Sequence, residues 1–339
     1  MARASRSLAG QVVAITGGGR GIGRATAAAL VAEGARVAIG DIEDELADRT
    51  ARELGAGTVG LPVDVTDRPS FAAFLEQVEH RLGPLDVLIN NAGIMPIGPF
   101  LDETDACARR LVDINLHGVI FGSKLALERF VPRRRGHLVN IASVAGKAGV
   151  AGGATYCATK HAVVGLSEAL RQELYGSGVD LSVVMPIGVN TELYSGLART
   201  RGFKQPQPED VAAAIVDALK RRRFDVYVPK AMGLLIRSTA LMPRSLAEAI
   251  GRLLESDEAL TRPDLSARAA YEARILQLIG ESPVPAAAPT AAAEPQLAPS
   301  PNGAPTAAPT AAAEPPTAAA EPPTAAAEPP TTQREPEAV

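Results

Sequence analysis

Between residues 8 and 230 the chain repeats one alternation. Short runs rich in Val and Ile are followed by stretches that carry Ala, Leu, Arg and Glu at helical spacing. Residues 11–16, 35–40, 58–63, 85–89, 137–142, 179–185 and 225–228 read as strands. Residues 22–33, 43–54, 105–130, 154–175 and 208–222 read as helices. The strand runs are continuously apolar, which means burial on both faces. Strands separated by helices pair in parallel, and right-handed crossovers cover both sides of the sheet. The prediction is an α/β fold, a doubly wound parallel sheet with helices on both faces. No linker interrupts it, so residues 1–230 are read as one domain and 231–280 as a helical extension.

Residues 281–339 cannot belong to such a core. They hold 20 Ala and 15 of the chain's 27 Pro, with no aromatic residue. The unit Pro309–Pro315 recurs, with Glu314, Glu321 and Glu328 seven apart. Proline in every unit forbids a continuous helix, and alanine buries too little surface to offset ordering entropy. A disordered C-terminal tail is predicted. Its seven acidic residues against Arg334 carry −6 of the chain's net −4, leaving the preceding residues near neutral. A near-neutral body gives no footprint for nucleic acid. Two cysteines, Cys107 and Cys157, cannot build a disulfide scaffold and favour a reducing, cytoplasmic setting. No signal peptide is read in the first ten residues, and no apolar run is long enough to span a bilayer. The four histidines show no metal spacing, so no metal is assigned.

The first predicted strand runs into Thr16-Gly17-Gly18-Gly19-Arg20-Gly21-Ile22-Gly23 and then a helix. Glycines let backbone approach a pyrophosphate, and a helix N-terminus offers free N–H groups and a positive dipole end. Gly17, Gly19, Arg20, Gly21, Ile22 and Gly23 are therefore candidate cofactor contacts. Asp41 ends the second strand. A carboxylate there accepts from ribose hydroxyls and repels a 2′-phosphate, which favours NAD over NADP. Arg20 leans the other way, as a cation that could meet such a phosphate, or is simply a solvated loop charge.

Three further segments follow. Asn90-Asn91-Ala92-Gly93 comes after the fourth strand, Ser143 after the fifth, and Tyr156-Cys157-Ala158-Thr159-Lys160 opens the next helix. With T-G-x-x-x-G-x-G, this set resembles the short-chain dehydrogenase/reductase family over roughly residues 8–230. The resemblance implies a Rossmann fold with seven parallel strands. It implies a catalytic tetrad of Asn115, Ser143, Tyr156 and Lys160. It places Asp64 and Val65 at the adenine, Asn91, Ala92 and Gly93 along the cofactor cleft, and Pro186, Val189 and Thr191 near the nicotinamide; Asn90 is read as structural. Where the family often shows P-G-x-V-x-T, this chain has Pro186-Ile187-Gly188-Val189-Asn190-Thr191. If the second position needs positive φ, Ile187 is strained there and Gly188 is placed to absorb the turn.

The chemistry fits these residue types. Tyr156 and Lys160 stand i and i+4 on one helical face. A free phenol is too weak an acid to serve as base at neutral pH. The lysine ammonium and a positive nicotinamide ring favour its phenolate. Tyr156 then moves the alcohol proton, Ser143 stabilises charge on the substrate oxygen, and Lys160 also holds the nicotinamide ribose. Asn115, within the long helix 105–130, seats a relay water.

Cys157 reads as a neutral buried thiol, and His161 as a packing residue beside the cleft. The arginine runs 133–135 and 221–223 read as helix-end caps. Met95, Ile97, Val144, Ala145 and Ala151 are candidate walls of an apolar pocket, closed by the segment 192–207. The apolar stretch 231–242 packs on the body or a second subunit; the alternative is a membrane surface or a greasy substrate mouth. The reading is an NAD(H)-dependent oxidoreductase for a secondary or hydrophobic alcohol and its ketone. An NADPH-dependent oxoacyl reductase and a silent dinucleotide-sensing scaffold are the alternatives. The run at Tyr156 is similar to members acting on lipid alcohols. The resemblance also implies a homodimer or homotetramer, paired through helices 105–130 and 154–175.

Overall fold

The computed structural model describes residues 5–197, 204–239, 242–243, 245–246, 249, 260 and 263–280. Seven strands form one sheet: β1 (Val12–Thr16), β2 (Arg36–Asp41), β3 (Val59–Pro62), β4 (Val87–Asn90), β5 (Gly136–Ile141), β6 (Val179–Pro186) and β7 (Asp225–Val228). Their order is β3-β2-β1-β4-β5-β6-β7, and every neighbouring pair is parallel. The doubly wound Rossmann sheet expected from the sequence is what the chain forms.

Period-2 geometry explains the two cores. Val12 and Ala14 of β1 join Leu88 and Leu138 in a core covered by Phe71, Phe74 and Leu75. Val13 and Ile15 point the other way, into a core closed by Leu30, Val211 and Ile215. All five residues of β1 and all six of β5 are buried, so neither face meets water. Burying one such aliphatic side chain contributes about 1.5–3 kcal/mol. On the Leu30 side lie α1 (Gly21–Ala32) and α7 (Pro208–Arg221); α2 (Asp44–Leu54) flanks β2 and β3.

Two helical features depart from the sequence reading. A helix not expected there, α3 (Arg68–Leu82), supplies the Phe71–Leu75 cover. Asp67 starts it by accepting from the Ser70 N–H at 3.0 Å, with Pro69 in its first turn. The expected long helix 105–130 is three pieces: α4 (Asp105–Val112), one π turn (Asp113–His117) and α5 (Gly118–Arg133). A π turn inserts a residue into the ladder and re-aims the side chains around it. Here that residue set includes Asn115.

After α6 (Ala154–Glu173), two elements cap the C-terminal end of the sheet: α8 (Lys230–Thr239) and α9 (Leu265–Ile279). Asp264 caps α9, accepting from Ser266 and Ala267 N–H groups at 3.0 and 3.2 Å, and Gly280 ends it at φ +79°. Tyr271 and Ile275 of α9 lie in the same core as Phe71 and Leu88. Residues 1–285 form one compact unit. The second unit, 286–339, holds the proline-rich tail and lies outside the described residues. The arginine runs are spent locally: Arg135 pairs with Asp86, Arg222 with Asp180, and Arg221 and Arg223 with Asp217. No described helix is long and apolar enough to cross a membrane.

Candidate active site

Strand order reverses between β1 and β4, so the loops leaving their C-terminal ends part and open a crevice. The β1 loop lies along one wall. Gly17 and Gly21 adopt φ +63° and +52°. Gly23 sits so close to the loop that a Cβ there would lie 2.2 Å from the Gly17 carbonyl oxygen. The loop therefore folds flat against the start of α1. Neither a side-chain cap nor an acidic residue occupies that first turn, leaving its N–H groups and dipole open to an anion. These features fit a dinucleotide pyrophosphate. Thr50 donates to the Gly19 carbonyl at 3.0 Å, and Asn91 Nδ2 donates to the carbonyls of Thr16 and Gly17 at 2.9 and 3.0 Å. Asn91 thus braces the loop.

Asp41, the last residue of β2, faces the same crevice. Its Oδ2 accepts from Gly19 N–H at 3.0 Å and its Oδ1 from Glu43 N–H at 3.3 Å. Arg20 is engaged by two carboxylates, Glu43 at 2.5 Å and Glu192 at 3.4 Å. Asp64 accepts from Thr66 N–H and Oγ1 at 2.8 and 2.7 Å, and Val65 and Arg110 complete that end.

Deeper in, α6 presents Tyr156 and Lys160. Lys160 Nζ lies 5.7 Å from the centre of the Tyr156 ring and donates to the Ile141 carbonyl at 3.0 Å. Ser143, two residues past β5, acts on the Tyr156 phenol and lowers it; its Oγ accepts from Ala145 N–H at 3.1 Å and donates to the Pro186 carbonyl at 3.4 Å. Asn115 is fully buried. Its Oδ1 accepts from Ile94 N–H at 2.9 Å, and Nδ2 donates to the Ile94 carbonyl at 2.9 Å and to Thr159 Oγ1 at 3.3 Å. A Cβ on Gly93 would stand 3.1 Å from Asn115 Oδ1 and 3.6 Å from Lys160 Nζ. Gly93 is therefore the spacer that lets these two groups approach.

Burial dominates the electrostatics. It pushes the Tyr156 phenol up to about 12, against the pull of its hydrogen bond with Ser143. It pushes Lys160 down to about 8. Without a nicotinamide charge beside it, desolvation outweighs the neighbouring ammonium and favours the protonated phenol. Burial also raises the Cys157 thiol, which packs against Val150. His161 is exposed and bonds its own helix at the Cys157 carbonyl.

The Pro186–Thr191 turn differs from expectation. Neither Ile187 nor Gly188 has positive φ, so the strain anticipated at Ile187 is absent. Gly188 answers a different need: a Cβ there would lie 2.2 Å from the Tyr194 ring. Thr191 reaches across to Gly21, 3.4 Å from where its Cβ would be.

These groups line one cavity of ≈ 1390 Å3. Gly17, Arg20, Gly21, Ile22, Asp41, Asp64, Val65, Asn91, Ala92, Gly93, Ser143, Tyr156, Lys160, Pro186, Val189 and Thr191 all face it. Gly19, Gly23 and Asn115 stand behind the wall. The apolar half contains Met95, Val144 and Ala145 as expected, but Ile97 packs into the core and Ala151 is exposed. Of its roof, the α8 part agrees with the substrate-mouth alternative for 231–242, while the α9 part was missed. Met232, Leu235 and Ile236 of α8 line it, as do Leu260 and Tyr271, Arg274, Ile275 and Leu278 of α9. Asp264 and Gly280 bracketing an i, i+4 apolar pair were the available signal. Of the expected closing segment, Glu192, Leu193 and Tyr194 form wall; residues 198–203 lie outside the described residues.

Comparison with known proteins agrees with this geometry. The short chain dehydrogenase family matches residues 11–202. 2-(S)-hydroxypropyl-CoM dehydrogenase 3 of Xanthobacter autotrophicus is 36% identical over 230 residues, which are 62% of this chain and 90% of that protein. Meso-2,3-butanediol dehydrogenase of Serratia marcescens is 36% identical over 60% of this chain and 85% of its own. The crystal structure of a short chain dehydrogenase/reductase from Burkholderia phymatum in complex with NAD superposes with TM-score 0.64 at 25% identity, covering 75% of this chain and 98% of that one. A family match over more than half the sequence, on a sheet and a crevice that agree with it, means that this chain belongs to the short chain dehydrogenase family.

Proposed function

We propose that the protein is an NAD(H)-linked oxidoreductase that interconverts a secondary or hydrophobic alcohol and its ketone, with Tyr156 as general acid and base. One observation carries this reading. The Ser143–Tyr156 pair, with Lys160 one turn on, stands between a polar glycine-rich cradle and an apolar chamber of the same cavity. The named relatives include dehydrogenases of a hydroxypropyl compound and of butanediol, which supports an alcohol as substrate.

Gly17, Gly21 and the open N-terminus of α1 would hold the pyrophosphate, and Asp41 the adenosine ribose. Lys160 would hold the nicotinamide ribose. When bound, the nicotinamide supplies the hydride donor or acceptor and, oxidised, a positive charge beside Tyr156. Two observations favour NAD over NADP. Asp41 and Glu43 make that end of the crevice acidic, and Arg20 is already paired with Glu43 and Glu192.

The chain's own residues handle the proton. Ser143 hydrogen-bonds the substrate oxygen and stabilises charge growing there. As the phenol, Tyr156 donates its proton to that oxygen during reduction; in oxidation it starts as the phenolate, which the charges of Lys160 and the oxidised nicotinamide would favour, and takes the alcohol proton. Lys160 balances the phenolate left behind. Asn115, locked to both backbone groups of Ile94, fixes the wall against which Lys160 sits. A panel of ketones assayed with NADH and with NADPH, read at the nicotinamide absorbance, tests the reading. Turnover with NADH that disappears in Tyr156→Phe is expected; turnover that survives this substitution sinks the mechanism.

A further inference from the structure

Tyr271 of α9 is 4% exposed and lines the same cavity wall as Tyr156 and Met95. Its phenol oxygen accepts from Met95 N–H at 2.7 Å. The ring is held in place. The Arg268 guanidinium carbon stands 4.6 Å and that of Arg274 5.7 Å from its centre. Arg268, fully buried, donates to the Met95 carbonyl at 2.6 Å and the Leu193 carbonyl at 3.0 Å.

A phenol has one hydrogen to give and two lone pairs to receive. Tyr271 uses a lone pair on Met95. Among the described residues nothing accepts its hydrogen. The charged side chains against its ring, Arg268 and Arg274, are donors and offer it no acceptor, and Leu260 and Ile275 on the same cavity wall are apolar. Phenylalanine would fill the same space but leave Met95 N–H without its acceptor; the hydroxyl hydrogen is what packing and that bond leave unused. A buried donor left without an acceptor is unfavourable, and a group that accepts from it is selected.

We infer that Tyr271 is a specificity-determining residue whose O–H donates to a second oxygen of the substrate. The substrate class is then an alcohol or ketone that carries another oxygen acceptor, such as a hydroxyketone or a diketone, rather than a plain hydrocarbon alcohol. This rests on the oxidoreductase reading above. A site built around such a donor penalises the analogue that lacks the acceptor, because the donor is then left unpaired.

The test compares a straight-chain methyl ketone with its α-hydroxy and β-keto analogues, using wild type and Tyr271→Phe with NADH. Wild type is expected to favour at least one oxygenated ketone by roughly tenfold or more in kcat/KM. The Phe variant is expected to lose that preference while its rate on the plain ketone stays within about twofold. An oxygenated preference that survives the substitution overturns the inference. So does an equal loss on all three substrates, which marks Tyr271 as only a prop for Met95. Thermal melting checks that the variant folds; if it does not, a wild-type ratio of one between the ketones overturns the inference by itself, and a preference of the stated size upholds it. NADH binding, followed by its fluorescence, is read in the same samples. No binding and no turnover with either cofactor overturns the underlying reading and the inference with it; turnover without discrimination overturns the inference alone.

Discussion

Lys160 lies one helical turn beyond Tyr156, with its ammonium 5.7 Å from the phenol ring centre, and both groups are buried. Burial moves them in opposite directions, the phenol up to about 12 and the ammonium down to about 8. Charged lysine therefore exists below about pH 8 and is lost above it, while the phenol stays protonated throughout. The rate of ketone reduction is expected to fall as pH rises through about 8. In Lys160→Arg, whose cation does not titrate in that range, this limb should vanish from the pH profile. Tyr156→Phe should lower kcat by roughly 100- to 10,000-fold with NADH binding intact.

Asp41 holds Gly19 N–H through one carboxylate oxygen. Asp41→Asn keeps an acceptor for that bond and removes the charge. The ratio of kcat/KM with NADPH to that with NADH is expected to rise about tenfold, the scale of one lost charge repulsion near a ribose. An unchanged ratio refutes the ribose role.

His137 is fully buried and bonded on both ring nitrogens. Nε2 meets Ser182 Oγ at 2.8 Å, and Ser182 spends its own hydrogen on the Arg223 carbonyl at 2.6 Å. Nε2 is therefore the donor, and Nδ1 receives Arg6. Burial, then the charges of Arg6 and Arg222, hold the imidazole well below its ordinary value. The unfolded chain binds a proton below about pH 6.5 and the folded one does not, so stability is intact above that pH and declines below it. The decline approaches about 1.4 kcal/mol per pH unit. Urea midpoints at neutral and mildly acid pH should show it, and His137→Gln should flatten it. An identical slope in the variant would rule His137 out as the source.

Gly188→Ala drives a methyl group into the Tyr194 ring, 2.2 Å away. Overpacking of this kind costs about 1–3 kcal/mol. Tyr194 lines the cavity, so KM for the ketone is expected to rise more than kcat falls. A variant with wild-type melting and kinetics would show that the ring moves aside freely.

Arg268→Met removes the donor to the Met95 and Leu193 carbonyls inside the core. Leaving buried carbonyls unmet is expected to lower stability by about 3 kcal/mol, read from urea unfolding. Loss of the roof should raise KM for the ketone and leave NADH affinity near wild type. Equal weakening of cofactor and ketone would instead point to a general collapse of the crevice.

The sheet was legible because parallel strands buried on both faces carry Val- and Ile-rich runs, as β1 does; β5 is equally buried although it carries His137 and Asn140. The glycine loop after β1 was legible because glycine at Gly17, Gly21 and Gly23 answers local backbone demands. Tyr156 and Lys160 were legible because i, i+4 spacing puts two side chains on one helical face. Less local properties were not. The π turn at Asp113–His117 interrupts an unbroken helical pattern, since only packing against Ile94 and Thr159 decides where Asn115 points. Ile187 drew attention as a strained position, whereas the close contact belongs to Gly188 and a ring six residues further on.

What the sequence by itself determined is what local periodicity and spacing set: the seven strands and most of the helices between them, the glycine cradle, and the tyrosine–lysine face. Tertiary structure alone decided the rest. It brought α9 from residues 265–279 over the crevice, seated Arg268 on the carbonyls of Met95 and Leu193, and set Tyr271 in the wall that Tyr156 shares. It also buried Tyr156 and Lys160 together, which pushes the phenol up and the ammonium down. Burial and contacts between residues 75 to 173 positions apart depend on how the whole chain packs, and no short window of sequence contains them.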